Sequence, residues 1–454
     1  MKKRPKPTRI SILKARQKLY LKESIIYKIT VVPLFLLIFA AACVSTSDPR
    51  TSEPAAVSRP AAEQLFTVPG EQVSHPDVYS LQLYRQGTVN SAPILRLDSS
   101  EKLVLRFDML ESRNRQFRVT VTHHDPDWSR STLPPEFYLD RFSTVYFGGG
   151  SRSRTQRPGY WHYEYSLPNR DLSFKASGNY MLRVEDFESG NLLFSLPFFI
   201  RENEGELASS TEVIFTPRQD LRIRHQTISR FTYPDFIEMP GFDLTFYFAQ
   251  NQFWGRAKKA DVFDTVTPGR VHYEMSRENA FTGDYEFLFL NLSELAVEGP
   301  RILDYQPDTV PPRILLNVDV PGLASAGSRN YPRPRTDANA RYADVRFSLN
   351  PPESLSTVDG ELYLTGDFNN WTLRSSNRLR YDESTGTWTT NTFIKQGTYS
   401  YKYVFLQNGR VLDLILDDTF TRSRQEYTTF VYYRDPARFY YRLLQTNTFY
   451  ENGN

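Results

Sequence analysis

The feature that most constrains this chain is a period of two that recurs through residues 78–200. Phe117, Val119 and Val121 alternate with Arg118, Thr120 and Thr122, and Trp161, Tyr163 and Tyr165 alternate with His162, Glu164 and Ser166. Successive side chains of an extended strand point to opposite faces, so this alternation describes strands with one face buried and one wet. Long runs of apolar residues at helical spacing are scarce. Turn residues separate the strands: Asp125-Pro126, Pro134-Pro135, Gly148-Gly149-Gly150 and Ser177-Gly178-Asn179. The stretch predicts an antiparallel β-sandwich.

The pattern continues downstream. Roughly 380 residues lie beyond the N-terminal segments, too many for one core and suited to about three domains. The charged, small-residue run 201–210 (RENEGELASS) marks a first boundary. Beyond it Phe242, Leu244, Phe246 and Phe248 alternate with Asp243, Thr245 and Tyr247; Tyr285, Phe287 and Phe289 repeat the pattern, and Leu316, Val318 and Val320 predict a last strand. Trp254 and the basic run Arg256–Lys259 read as a solvated loop. The segment 321–340, rich in Gly, Pro and Ser, is a second boundary. Val345, Phe347 and Leu349 open a third domain, in which Tyr399, Tyr401, Tyr403 and Phe405 share one face and Trp388 belongs to the core. The expected fold class is all-β: three tandem Ig-like β-sandwiches at 71–203, 211–322 and 340–443.

The N-terminus has a different character. Residues 1–28 carry ten Lys/Arg and one Glu, so of the chain's formal charge of +3 this arm contributes +9 and residues 29–454 carry −6. The basic balance therefore belongs to the leader, which removes the argument for a nucleic-acid partner. Ile29–Ala42 is apolar and uncharged, and too short to span about 30 Å of hydrocarbon comfortably. Residues 1–42 are expected to be a signal peptide. Its end, Ala-Ala-Ala-Cys, resembles a bacterial lipobox, which makes Cys43, the only cysteine, the expected lipidation site; ordinary cleavage after an Ala-x-Ala pattern is the alternative. Residues 43–70, rich in Ser, Pro, Ala and Thr, form the expected flexible tether.

Signatures of chemistry are sparse. H-E-x-x-H, P-loop, G-x-S-x-G and G-x-G-x-x-G motifs are absent, so no catalytic residue and no cofactor is assigned. His123, His124, Asp125 and Asp127 cluster, but adjacent strand residues point to opposite faces and do not easily share one ion, so no metal site is assigned. His75, His162, His225 and His272 have no evident acid or nucleophile partner in the sequence.

One binding motif remains. Gly366–Trp371 (GDFNNW) resembles the signature of the early-set, glycogen-binding Ig-like modules of starch enzymes. That resemblance implies a sugar ring packed on Trp371, with Asn369 and Asn370 in the turn and Lys402 on a later strand binding hydroxyls. A flat aromatic face edged by amide and ammonium donors has the chemistry for a glucan. The same residues also suit a structural corner with Phe368 and Trp371 buried.

The order of motifs resembles one family more broadly. VYSLQLY at 78–84, LVLRFDML at 103–110, VTHHDPDW at 121–128, LPPEFYLDRF at 133–142, SGNYMLRV at 177–184, and later KQGTYSYKYVF and TTFVYYR are similar to the plug proteins of the Bacteroidetes type nine secretion system. His124 departs from the small or thiol residue expected there. The resemblance implies a non-enzymatic, periplasmic lipoprotein anchored to the outer membrane, whose partner is the translocon β-barrel and which closes that pore from the periplasmic side. The alternative is an envelope lipoprotein that binds glycan through its C-terminal module.

Overall fold

The computed structural model describes residues 66–451, apart from 89–90, 156–157, 216–222, 284, 297–300, 322–325, 352–358 and 413–423. The expected signal peptide, Cys43 and most of the tether lie outside the described residues. Among the described residues no helix is long and apolar enough to cross a membrane. The fold is all-β, as the alternation requires, and the strands among the described residues form six sheets.

Two of these sheets build the first sandwich. One runs in the order Gln72–Val73, Leu192–Arg201, Gly178–Asp186, Gln116–His124, Thr144–Gly148, with Ile94–Arg96 added in parallel to Leu192–Arg201. The other runs Val78–Arg85, Leu103–Met109, Trp161–Leu167, Ser151–Arg152. Phe117, Val119 and Val121 all face the core, where Phe107 sits within 5.2 Å of the rings of Phe117, Tyr163 and Phe194. Tyr163 is buried, whereas its strand neighbours Trp161 and Tyr165 are half-buried. One glycine is dictated by a close approach. Gly178 has φ +139°, and a Cβ there would lie 2.3 Å from Nε2 of His123.

Pairing corrects the boundaries expected for the other two sandwiches. The middle sandwich sets the sheet Glu206–Phe215, Ile223–Thr232, Arg270–Glu274, Val262–Thr267 against a second sheet in the order Lys258–Lys259, Leu244–Gln250, Glu426–Asp435, Tyr440–Tyr450. Leu244–Gln250 pairs along its whole length with the chain's penultimate strand, Leu244 opposite Tyr433 and Phe246 opposite Val431. The third sandwich takes Phe287–Asn291, Ile302–Gln306 and Arg313–Leu316 from the region expected to be middle domain, and adds Tyr342–Leu349 through Arg410–Leu412. It is thus inserted between two parts of the middle one. Periodicity identifies strands but carries no information about partners so distant in sequence.

Several local expectations are also revised. The predicted strand at 242–248 begins only at Leu244; Phe242 lies in the short helix Pro240–Asp243 and is 87% exposed. The strand expected at 316–320 is Arg313–Leu316, which leaves Val318 exposed. Trp388 packs against the third core as expected but is only half-buried, on the strand Thr387–Lys395 between Leu349 and Tyr381. Trp254, expected in a solvated loop, is buried with Phe199 and Phe430 between the first and middle sandwiches. Phe66, Thr67 and Val68, assigned to the tether, are buried as well, so packing starts before residue 70.

Candidate functional site

The GDFNNW corner lies where the three sandwiches meet. Strand Glu361–Gly366 ends in a tight turn, Asp367–Asn369, followed by Asn370 and Trp371 at φ 53° and 56°. The Asn369 amide accepts from the Gly366 N–H at 2.9 Å and donates to Leu364 O at 3.1 Å, which fixes the turn from inside. The Trp371 indole N–H donates to Asp367 Oδ1 at 2.9 Å. Its ring packs against Phe66, Phe253 and Phe287, with the Arg329 guanidinium 5.0 Å from its centroid.

These contacts correct the sugar-binding expectation. Trp371 is 6% exposed and Lys402 3%. The Lys402 ammonium donates to Glu286 O at 2.6 Å and lies 4.1 Å from the Tyr285 ring centroid. Asn370 donates across to Leu81 O of the first sandwich at 3.2 Å. Of the four residues, Asn369, Trp371 and Lys402 are buried and Asn370 is committed to the seam, so they offer no open aromatic platform for a sugar ring.

Around this corner each pair of sandwiches is joined by buried or half-buried polar contacts. Between the first and third, the Asp108 carboxylate lies 2.7 Å from Lys395 Nζ, 2.6 Å from His162 Nδ1 and 2.7 Å from the Tyr342 hydroxyl, and the Asp108 and Lys395 side chains are 0% and 2% exposed. Burial pushes the Asp108 carboxyl up, but its bonds to His162 and Lys395 outweigh burial and hold it below the usual carboxylate range. Between the middle and third, Arg329 donates to Asn251 O and, at 2.9 Å, to Asp367 Oδ1, while the Tyr331 hydroxyl donates to Glu426 at 2.7 Å. Between the first and middle, the Tyr432 hydroxyl donates to Asn179 Oδ1 at 2.6 Å, and Arg442 binds Glu202 at 2.6 Å.

Sequence reasoning assigned none of these residues to a seam, although it named His162 and Asn179 for other reasons. Asp108 and Lys395 sit on strands 287 positions apart, and Arg329 lies in a segment read as a linker. A lysine and a glutamine interrupting the aromatic strands as Lys395-Gln396 is the nearest thing to a signal, and it names no partner.

The histidines are structural. His123 is buried, with Nδ1 2.8 Å from Ser131 Oγ and Nε2 3.0 Å from Ser177 O. Burial lowers it to about 4, the Ser177 bond opposing. Both nitrogens of His124 are also engaged, by Thr122 and by Trp128 O, on the other face of the strand. Three histidines read as partnerless do have carboxylate neighbours: His162 with Asp108, His225 with Glu451 at 3.3 Å and His272 with Glu274 at 3.2 Å. His225 is fully buried and also meets the Tyr427 hydroxyl at 2.8 Å. His75, Asp77 and Glu111 stand close together, but the Asp77 N–H occupies His75 Nδ1 and Arg115 donates to both Glu111 oxygens.

The fold and its seams define a class: a multi-sandwich, all-β protein whose distinguishing residues serve domain-to-domain contacts. Within it, residues 78–202 match the family described as type 9 secretion system plug protein, first domain. The match covers most of the first sandwich. Among solved structures, a hypothetical protein from Parabacteroides merdae ATCC 43184 aligns with a TM-score of 0.73 at 23% identity, covering 84% of this chain and 99% of that one, which establishes a shared fold. The C-terminal domain of the Streptococcus pyogenes antigen I/II-family protein AspA aligns at 8% identity over 81% of this chain and 98% of its own, with a TM-score of only 0.16. No curated protein matches the chain at a significant level.

Proposed function

We propose that this protein is a non-enzymatic accessory subunit of type IX secretion that plugs the periplasmic mouth of the outer-membrane translocon barrel. The observation that carries the reading is the family match over 78–202, which supports a role related to this secretion system. The fold is consistent with the finer reading. A body meant to fill a wide aqueous opening must resist deformation, and here all three sandwiches are tied pairwise by buried or half-buried contacts rather than strung on linkers. A lipid on Cys43, with the segment that follows as a tether, would hold the body at the membrane and keep its effective concentration near the pore high. Loops at the sandwich ends would make the contacts.

The test is an affinity pull-down of the tagged full chain from gently solubilised envelopes, with partners identified by mass spectrometry. Recovery of one giant β-barrel protein is the expected result. Retention of the bait in the membrane fraction with no barrel recovered would reject the reading. Deleting the first sandwich is a poorer test, because it would strip Lys395 and Tyr342 of Asp108 and disturb the third sandwich as well.

A further inference from the structure

A cleft of about 640 Å³ opens beside the three-way junction, with walls contributed by all three sandwiches. Five arginines line it: Arg85, Arg201, Arg329, Arg333 and Arg424. The sole lining acid among the described residues is Glu426. Its carboxylate is already taken, accepting from Tyr331 at 2.7 Å, Gln252 at 3.1 Å and Tyr450 at 2.9 Å. Asp367 neutralises Arg329, and Glu101 approaches Arg85 at 3.6 Å. Among the described residues Arg201 donates to the neutral side chains of Asn203 and Gln445. Arg424 lies 4.0 Å from the Tyr450 ring centroid, and Arg333 is exposed.

This concentration of positive charge runs against the rest of the molecule, since residues 29–454 carry a net charge of −6. Burial, together with Arg96 and Arg85 nearby, makes the Arg201 guanidinium less basic than usual, with Glu101 opposing. Arg201, Arg333 and Arg424 face, among the described lining residues, the single negative charge of Glu426, an excess that is unfavourable unless a bound anion supplies further counter-charge.

We propose that the cleft binds an acidic peptide segment, its carboxylates paired with Arg201, Arg333 and Arg424. The arginines reach the cleft from separate places: the end of strand Leu192–Arg201, the short strand Arg333–Pro334 and the residue two before strand Glu426–Asp435. Groups so placed suit several carboxylates spaced along an extended chain at about 3.3 Å per residue better than one compact anion. The volume falls within the roughly 300–1,000 Å³ of ordinary binding pockets. Thr446 on the strand Tyr440–Tyr450 also lines the cleft, and Thr448 beside it is bonded to the Thr428 hydroxyl at 3.1 Å.

The inference is independent of the barrel and is tested on the purified full chain by fluorescence anisotropy with labelled hexaglutamate. Binding is expected to weaken at least tenfold in the double variant R333E/R424E, which changes two surface side chains and should melt like the wild type. The control pair R277E/R380E, on exposed positions away from the cleft, should bind as the wild type does. Unlabelled hexaglutamate should displace the probe, and inorganic phosphate at equal charge should not. Unchanged affinity in R333E/R424E, an equal loss in the control pair, or equal displacement by phosphate would each overturn the proposal.

Discussion

Replacing Lys395 by Met tests whether the first and third sandwiches are locked by charge. The ammonium and the Asp108 carboxylate are 2.7 Å apart and almost wholly removed from water. Removing one partner of such a pair costs about 3–5 kcal/mol, because the other charge is left buried and unmatched. In K395M, Asp108 keeps His162 at 2.6 Å and Tyr342 at 2.7 Å, which places the loss near the low end, about 3 kcal/mol. D108N disturbs both of those bonds as well and leaves the ammonium against the faces of Tyr160 and Tyr342, so its loss should be near the high end, about 5 kcal/mol. The double variant should lose at least about 2 kcal/mol less than the sum, since neither charge is then stranded. Urea unfolding of the four proteins gives the coupling energy. Hydrogen exchange gives the location: strands Leu103–Met109 and Thr387–Lys395 should lose protection together in either single variant. A coupling energy under about 0.5 kcal/mol, or loss of protection on one side only, would refute the lock.

Two further outcomes follow from the same seams. His123 is held at about 4 in the folded protein against an ordinary 6.5, so the unfolded chain binds the extra proton between those values. Its contribution is therefore fully present above pH 6.5 and falls as pH drops, by about 2 kcal/mol at pH 5; thermal melts of wild type and H123Q from pH 7 to 5 should show the flatter slope in the variant, and equal slopes would count against a buried neutral imidazole. Trp371→Ala should cost about 3–5 kcal/mol in denaturant unfolding, as emptying a well-packed aromatic site does. A variant as stable as the wild type, with altered glucan retention instead, would return Trp371 to the role of a sugar platform.

Strand content was legible because alternation is a local signal. Phe117, Val119 and Val121, or Tyr399, Tyr401, Tyr403 and Phe405, declare a buried face without reference to anything distant, and each of these residues is buried. Phe242 shows the limit of that signal: Met239-Pro240-Gly241 turns the chain into a short helix just before Leu244, and the alternation carried across the break puts an exposed ring on the core face. Partner choice was not legible at all. Tyr427, Val431 and Tyr433 alternate as well as any strand here, but only the fold reveals that they close the middle core with Phe246 and Tyr273. The sugar motif failed for a related reason. GDFNNW specifies the turn correctly, through Asn369 and the left-handed Asn370, but whether Trp371 faces solvent depends on Phe66 and Phe253, which lie about 300 and 120 positions away.

The insertion of the third sandwich into the middle one sets an order on biogenesis. Among the described residues, the last strand of the first sandwich ends at Arg201 and the last of the third at Leu412. The middle sandwich waits with Leu244–Gln250 lacking its neighbour until Glu426–Asp435 appears. At about 5–20 residues per second, the intervening stretch of nearly 180 residues takes roughly 10–35 s to synthesise. Over that interval a strand carrying Phe246 and Phe248 presents an open edge, which is the kind of surface that chaperones hold and that aggregates when they do not. The yield of folded protein would therefore depend on factors that hold the open strand more than the stability of the finished protein would suggest.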